Sequence, residues 1–172
     1  MDTSRREPLS RYVHPQHNQL SPHLLDDFNE VAKRAPKEVI ARAMAAAFRA
    51  DEETSFGAIV AKLFLHSDPE LRAMLLNMLM SHVGRDTKRV LSNAGLFGLD
   101  PDSRQVSEET TAQLLPEAIG HIAAEAEQRD WRTVDEVGAL YAQHTQVVRK
   151  LGAHAVVTLL TQIAQESAGP EI

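Results

Sequence analysis

Histidine and carboxylate are the side chains of this sequence best suited to chemistry. Eight histidines and 24 Asp and Glu residues bring metal binding and acid–base catalysis to mind first. "HPQH" sets His14 and His17 three residues apart, with His23 nearby, a spacing that can hold a transition metal. Pro15 stops a helix there, however, and the segment reads as an incidental polar tail. Di-iron bundles need Glu-x-x-His repeats, which put both ligands on one face. Zinc hydrolases of one large class need H-E-x-x-H. Neither pattern occurs. Glu117 and His121 are spaced i, i+4 and read as an exposed pair worth a few tenths of a kcal/mol. His144 falls near a helix C-terminus and His154 beside Lys150 on a polar side, so neither requires a catalytic role.

Other chemistries lack their residues as well. The chain has no cysteine, which removes disulfides, thiolate zinc sites, iron–sulfur clusters and a cysteine nucleophile. G-x-S-x-G is absent, and "GLFGLD" is neither a dinucleotide fingerprint nor a Walker loop. The acidic pairs Asp26–Asp27, Glu52–Glu53 and Glu108–Glu109 are adjacent in sequence. On a helix, neighbours point about 100° apart, so such pairs do not converge on one substrate. No catalytic, cofactor-binding or metal-ligating residue is assigned, and no cofactor is expected. Trp131, at a helix junction, reads as a packing anchor.

One stretch stands out, "HSDPELRAMLLNMLMSH", from His66 to His82. Its two histidines do not share an ion, because Pro69–His82 alone spans about 20 Å as a helix. Leu71, Met74, Leu75, Met78 and Leu79 fall within an arc of about 140°, and Leu76 and Met80 extend it to roughly 240°. A surface helix shows an apolar stripe little more than ~100° wide. This helix is therefore either central in a bundle or covered by a partner. The seven residues Leu71, Met74, Leu75, Leu76, Met78, Leu79 and Met80 form the candidate partner or self-association surface, with methionines giving an adaptable face. His82 projects into the apolar arc and needs an internal hydrogen-bond partner.

The surrounding pattern is helical throughout. Residues 1–20 are polar, carry two prolines and lack periodicity, so a flexible arm is expected. Ser21 and Pro22 suit the start of a helix bearing Leu24, Leu25, Phe28 and Val31. Pro36 opens the next, with Ile40, Met44 and Phe48 at i, i+4, i+8. "SFGAIVAKLFL" gives a third. Asp68 with Pro69, or else a Ser67–Glu70 capping box, starts the methionine-rich helix. A short helix near Asp86–Ser92 precedes a connector at 95–106. Ser107 restarts the chain, Pro116 interrupts or re-enters the helix there, and T-x-x-E at Thr133–Glu136 reads as a capping box. A last helix is expected from about Gln146 to Glu166. No useful stretch alternates with period 2. The expected fold is all-α, a multi-helix bundle of about seven or eight helices. The expected organisation is an arm at 1–20, a helical part at 21–94, the connector at 95–106, a second helical part at 107–166 packed on the first, and a tail at 167–172. "IVAKLF" and "EVGALY" share V-x-x-L-[FY], which suggests two related helical hairpins.

Two stretches, "PKEVIARAMAAAFRADEETSFGAIVAKLFLHSDPELRAMLLNMLM" and "LPEAIGHIAAEAEQRDWRTVDEVGALYAQHTQVVRKLGAHAV", carry a resemblance. Together they resemble uncharacterised bacterial all-helical proteins loosely grouped with the YidB-like family. Such proteins often join their two parts by a glycine-rich connector, for which "NAGLFGLDPDSRQ" is less glycine-rich. The resemblance implies a helical bacterial protein and no reaction.

The formal net charge is −6, which disfavours nucleic-acid binding through a clustered basic face. No run reaches ~18 apolar residues, and the N-terminus has no apolar signal core, so a cytoplasmic protein without a membrane span is expected. The function read from these residues is a non-enzymatic helical interaction or assembly protein, self-associating or bound to a protein partner. The alternative is a small-ligand or metal-binding bundle, or an enzyme, with a site of no familiar pattern.

Overall fold

Ser55, Asp68 and Ser107 cap three of the helix starts with short polar side chains, and apolar spacing writes the faces. A computed structural model describes residues 23–50, 54–96 and 106–167. Among the described residues there is no strand, and eight helices have seven residues or more. In chain order the α-helices are α1 (Leu24–Arg34), α2 (Lys37–Ala50), α3 (Phe56–His66), α4 (Pro69–Val83), α5 (Thr87–Asn93), α6 (Glu108–Thr111), α7 (Pro116–Arg129), α8 (Arg132–Ala142), α9 (Thr145–Val148) and α10 (Ala153–Ser167). Short 3-10 turns lie at Gly84–Asp86 and Arg149–Leu151. The fold is all-α, as the 3.6-residue periodicity requires. The expected Ser21 cap, the arm at 1–20 and most of the 95–106 connector lie outside the described residues.

Contacts group the chain into two units. One holds the residues up to Ala50 together with Gly138–Ile172, and the other holds Asp51–Val137. Helices α3 and α7, which flank the expected connector, therefore belong to the same unit.

In the first unit, Ile40, Met44 and Phe48 of α2 are buried, as are Leu24, Phe28 and Val31 of α1 and Val156, Leu159, Leu160 and Ile163 of α10. Gly138 lets α8 close on α2, because a Cβ there would meet the Ala41 carbonyl oxygen at 2.8 Å. The expected single helix from Gln146 to Glu166 is instead two. Gly152 takes φ 112°, a backbone state that L side chains avoid, and α10 begins after it.

In the second unit, α3 and α7 cross at two glycines. A Cβ on Gly57 would meet the Gly120 carbonyl oxygen at 2.6 Å and lie 3.5 Å from the Ala124 methyl. A Cβ on Gly120 would meet the Gly57 oxygen at 2.7 Å and lie 3.4 Å from Ala61. Position 57 thus opposes 124 and 61 opposes 120, so the two helices run antiparallel. Helix α4 packs on α7 and on α6. Its start is the Asp68–Pro69 reading: the Asp68 carboxylate accepts from the Leu71 N–H at 2.8 Å, with Pro69 in the first turn. The Ser67 hydroxyl instead donates back to the Leu63 carbonyl at 2.6 Å. The Arg72 guanidinium closes the preceding helix. It donates to the Phe64 and Leu65 carbonyls at 2.9 and 3.0 Å and stacks 4.9 Å from the Phe64 ring centre. The Phe64 carbonyl also accepts from the Ser67 N–H at 3.2 Å. Carbonyls at a helix end are short of partners, and a cation is favoured there. Gly84, at φ 65°, ends α4, which suits glycine at a helix stop.

Candidate functional site

The seven residues of the α4 arc divide by type. Leu71, Leu75, Leu76 and Leu79 are buried in the fold itself. Met78 and Met80 are half-buried, and Met74 is 46% exposed. Ala73 is buried too, so the solvent side of α4 is Glu70, Met74 and Ser81, edged by Asn77 and Met78. The great width of the arc has a structural cause. Helix α4 is covered from two directions, by α7 and by α6. Asn77 takes part in this covering: its side-chain oxygen accepts from the Val106 N–H at 2.8 Å and ties the residue before the Ser107 cap to α4. Ser107 accepts in turn from the Thr110 N–H at 3.3 Å.

At the C-terminal end of α4 the structure assembles a cluster that spacing did not reveal. The His82 side chain is 10% exposed and lies between two carboxylates. Its Nδ1 is 3.2 Å from Asp130 Oδ2, and its Nε2 is 2.7 Å from Glu136 Oε2. The internal partner expected for His82 is thus a pair, supplied from 48 and 54 residues away. Arg132 grips Asp130 in fork geometry, with its Nε 3.0 Å from Oδ1 and a terminal nitrogen 3.1 Å from Oδ2. The Arg132 backbone N–H also donates to Asp130 Oδ1 at 3.0 Å. Next to it, Arg129 pairs with Asp86 and donates to the Val83 carbonyl at 3.5 Å.

These contacts override a local signal. The T-x-x-E pattern at Thr133–Glu136 does not cap α8. Thr133 is buried and its hydroxyl donates to the Ala126 and Asp130 carbonyls at 3.2 and 2.7 Å. The Asp130 carboxylate takes the Arg132 N–H at the start of α8 instead, and Glu136 turns to His82. Trp131 is not a packing anchor, being 68% exposed. It sits in the two-residue link between α7 and α8, whose other member, Asp130, is held inward by hydrogen bonds.

Hydrogen bonds and charge from Arg132 hold the Asp130 carboxyl well below its ordinary value, at about 2, with the His82 hydrogen bond adding to the effect. Arg129 lowers Asp86 in the same way. A depressed carboxyl stabilises the fold above its unfolded value and loses that contribution as pH falls toward its folded value. The Asp130 contribution is therefore complete above about pH 4 and disappears on the way down to about pH 2. Replacing Arg132 by Gln is expected to move the onset of acid unfolding to higher pH, read by circular dichroism during acid titration. An unchanged acid transition in R132Q contradicts this role for the Arg132 fork.

The cluster is not a metal centre in this arrangement. The two carboxylates bind opposite edges of one ring and do not converge on a common point. No group of three or more metal-ligating side chains occurs among the described residues, and His14 and His17 lie outside them. No described helix is long and apolar enough to cross a membrane. Compared with protein-family models, curated proteins and solved structures, the chain has no match.

Proposed function

We propose that this chain is a non-enzymatic helical interaction protein that self-associates, with the outer side of α4 at the contact. The observation that carries the reading is Met74, 46% exposed on a helix whose four leucines are all buried. Met78 follows one turn later, half-buried, so the pair presents a flexible thioether surface of the kind that adapts to partners. Leu65 and Leu115 are further large apolar side chains exposed in the same unit, and exposed apolar surface marks association sites when it is contiguous. The clustered polar groups serve helix caps and ion pairs, which leaves the apolar surface as the feature with no internal use.

Light scattering coupled to size exclusion, run from micromolar to near-millimolar protein, tests the reading. The wild-type chain is expected to gain mass with concentration. Met74→Glu is expected to remain monomeric with its thermal unfolding nearly unchanged, since surface substitutions of this kind stay within about 0.5 kcal/mol. A wild-type monomer across the whole range ends the proposal.

A further inference from the structure

His82 is a link in the fold whose bonding depends on its proton. A neutral imidazole has one N–H donor and one bare nitrogen. Both carboxylates here are acceptors, so Nδ1 and Nε2 satisfy Asp130 and Glu136 together only when both carry hydrogen. With one proton gone, a lone pair faces a carboxylate across about 3 Å, and the attraction on that side turns to repulsion. The ring is nearly buried, so the imidazole meets little water, whereas the half-exposed Glu136 carboxylate can turn to solvent once its bond is lost.

We propose that His82 is a proton-dependent latch, which fastens the last turn of α4 to the Asp130–Glu136 segment and thereby controls the order of the Trp131 link. Three elements converge on the ring: α4 carries it, the end of α7 leads into Asp130, and the second turn of α8 carries Glu136. Among the neighbouring charges, Arg132 is committed to Asp130, and Arg129 to Asp86, Glu125 and the Val83 carbonyl, while Glu127 on α7 and Asp135 on α8 are half-buried. Arg85 on the 3-10 turn, Lys88 and Arg89 on α5, and Glu108 and Glu109 on α6 are exposed. Among the described residues, Asp130 and Glu136 are the ion-pair partners of His82. Histidine is the side chain that ordinarily changes charge between about pH 5 and 8. The sign follows from the bonding: the latch is closed with the ring protonated and opens as pH rises.

Trp131 is the one tryptophan of the chain, and it lies within the latched link, so its fluorescence reports the latch without labelling. In the full-length protein, Trp131 anisotropy is expected to fall reversibly as pH rises from about 5 to about 8. Amide protection around Asp130–Thr133, corrected for intrinsic exchange, is expected to fall over the same range. In His82→Gln both readouts are expected to lose their pH dependence, which separates His82 from the other histidines. Glu136 is half exposed, so Glu136→Gln keeps the fold if His82→Gln does not. It is expected to reduce the pH-linked change, because an amide meets either form of the ring. Readouts that stay flat in the wild type, or that keep the full wild-type change in the variants, overturn the latch.

Discussion

Leu79→Ala is expected to lower the unfolding free energy by ~2–5 kcal/mol, while Met74→Ala changes it by less than ~0.5 kcal/mol. The two residues share a helix, and by residue type both belong to one apolar arc. The difference comes from what surrounds them. Leu79 is fully buried, with Leu75 and Leu76 likewise closed off, whereas nearly half of Met74 faces water. Deleting a buried leucine side chain loses its transfer free energy and leaves a cavity that rigid neighbours fill only in part. Helix α4 is covered by both α7 and α6, so inward collapse around position 79 is limited and the upper half of the range is expected. Urea unfolding with an unchanged m-value measures both changes. A loss at Met74 as large as that at Leu79 means that the methionine side is core. A negligible loss at Leu79 means that the leucine side is not.

The contrast between these two residues also shows where the sequence was informative. Periodicity identified every long helix, because a buried stripe must recur every 3.6 residues whatever it packs against. The V-x-x-L-[FY] echo is such a stripe: Val60, Leu63 and Phe64 on α3, and Val137, Leu140 and Tyr141 on α8, are all buried. Caps were legible where one short side chain serves its own helix, as at Asp68 and Ser107. The last helix was misread because Gly152 resembles a tolerated interior glycine until its positive φ is seen. Tertiary competition hid the rest. Thr133 and Glu136 have capping-box spacing, yet the hydroxyl finds carbonyls at the end of α7 and the carboxylate finds His82. The His82 cluster joins residues about 50 positions apart, and no helical spacing encodes that distance. The available signal was a single polar ring on an apolar arc, which required a partner without naming it.

Gly57 and Gly120 are expected to be the least replaceable small residues in their unit. On propensity alone, alanine is better than glycine by up to about 1 kcal/mol in a helix interior and by less in the first turn, where Gly57 sits, so Gly57→Ala is a mildly stabilising change wherever space allows. Space does not allow it here. The added methyl would lie 2.6 Å from the Gly120 carbonyl oxygen, and that atom belongs to a helix backbone, which has no rotamer to change. Relief requires α3 and α7 to move apart, which loosens Ile59, Leu63, Ile119, Ile122 and Ala123 together, all of them buried. Overpacking of this kind costs ~1–3 kcal/mol or more, enough to cancel the propensity gain and leave a net loss. Gly57→Val adds two further carbons at the crossing and gains less propensity, so a loss of ~3 kcal/mol or more is expected. The double variant Gly57→Ala with Gly120→Ala separates this cause from independent strain at two sites. Each methyl forces the same separation, so the second costs less once the first is present, and the combined loss falls short of the sum. Denaturant unfolding of the two single variants and the double variant measures this cycle. A stabilised Gly57→Ala means that α3 and α7 do not cross at the glycines, and full additivity means that the two positions do not share one contact.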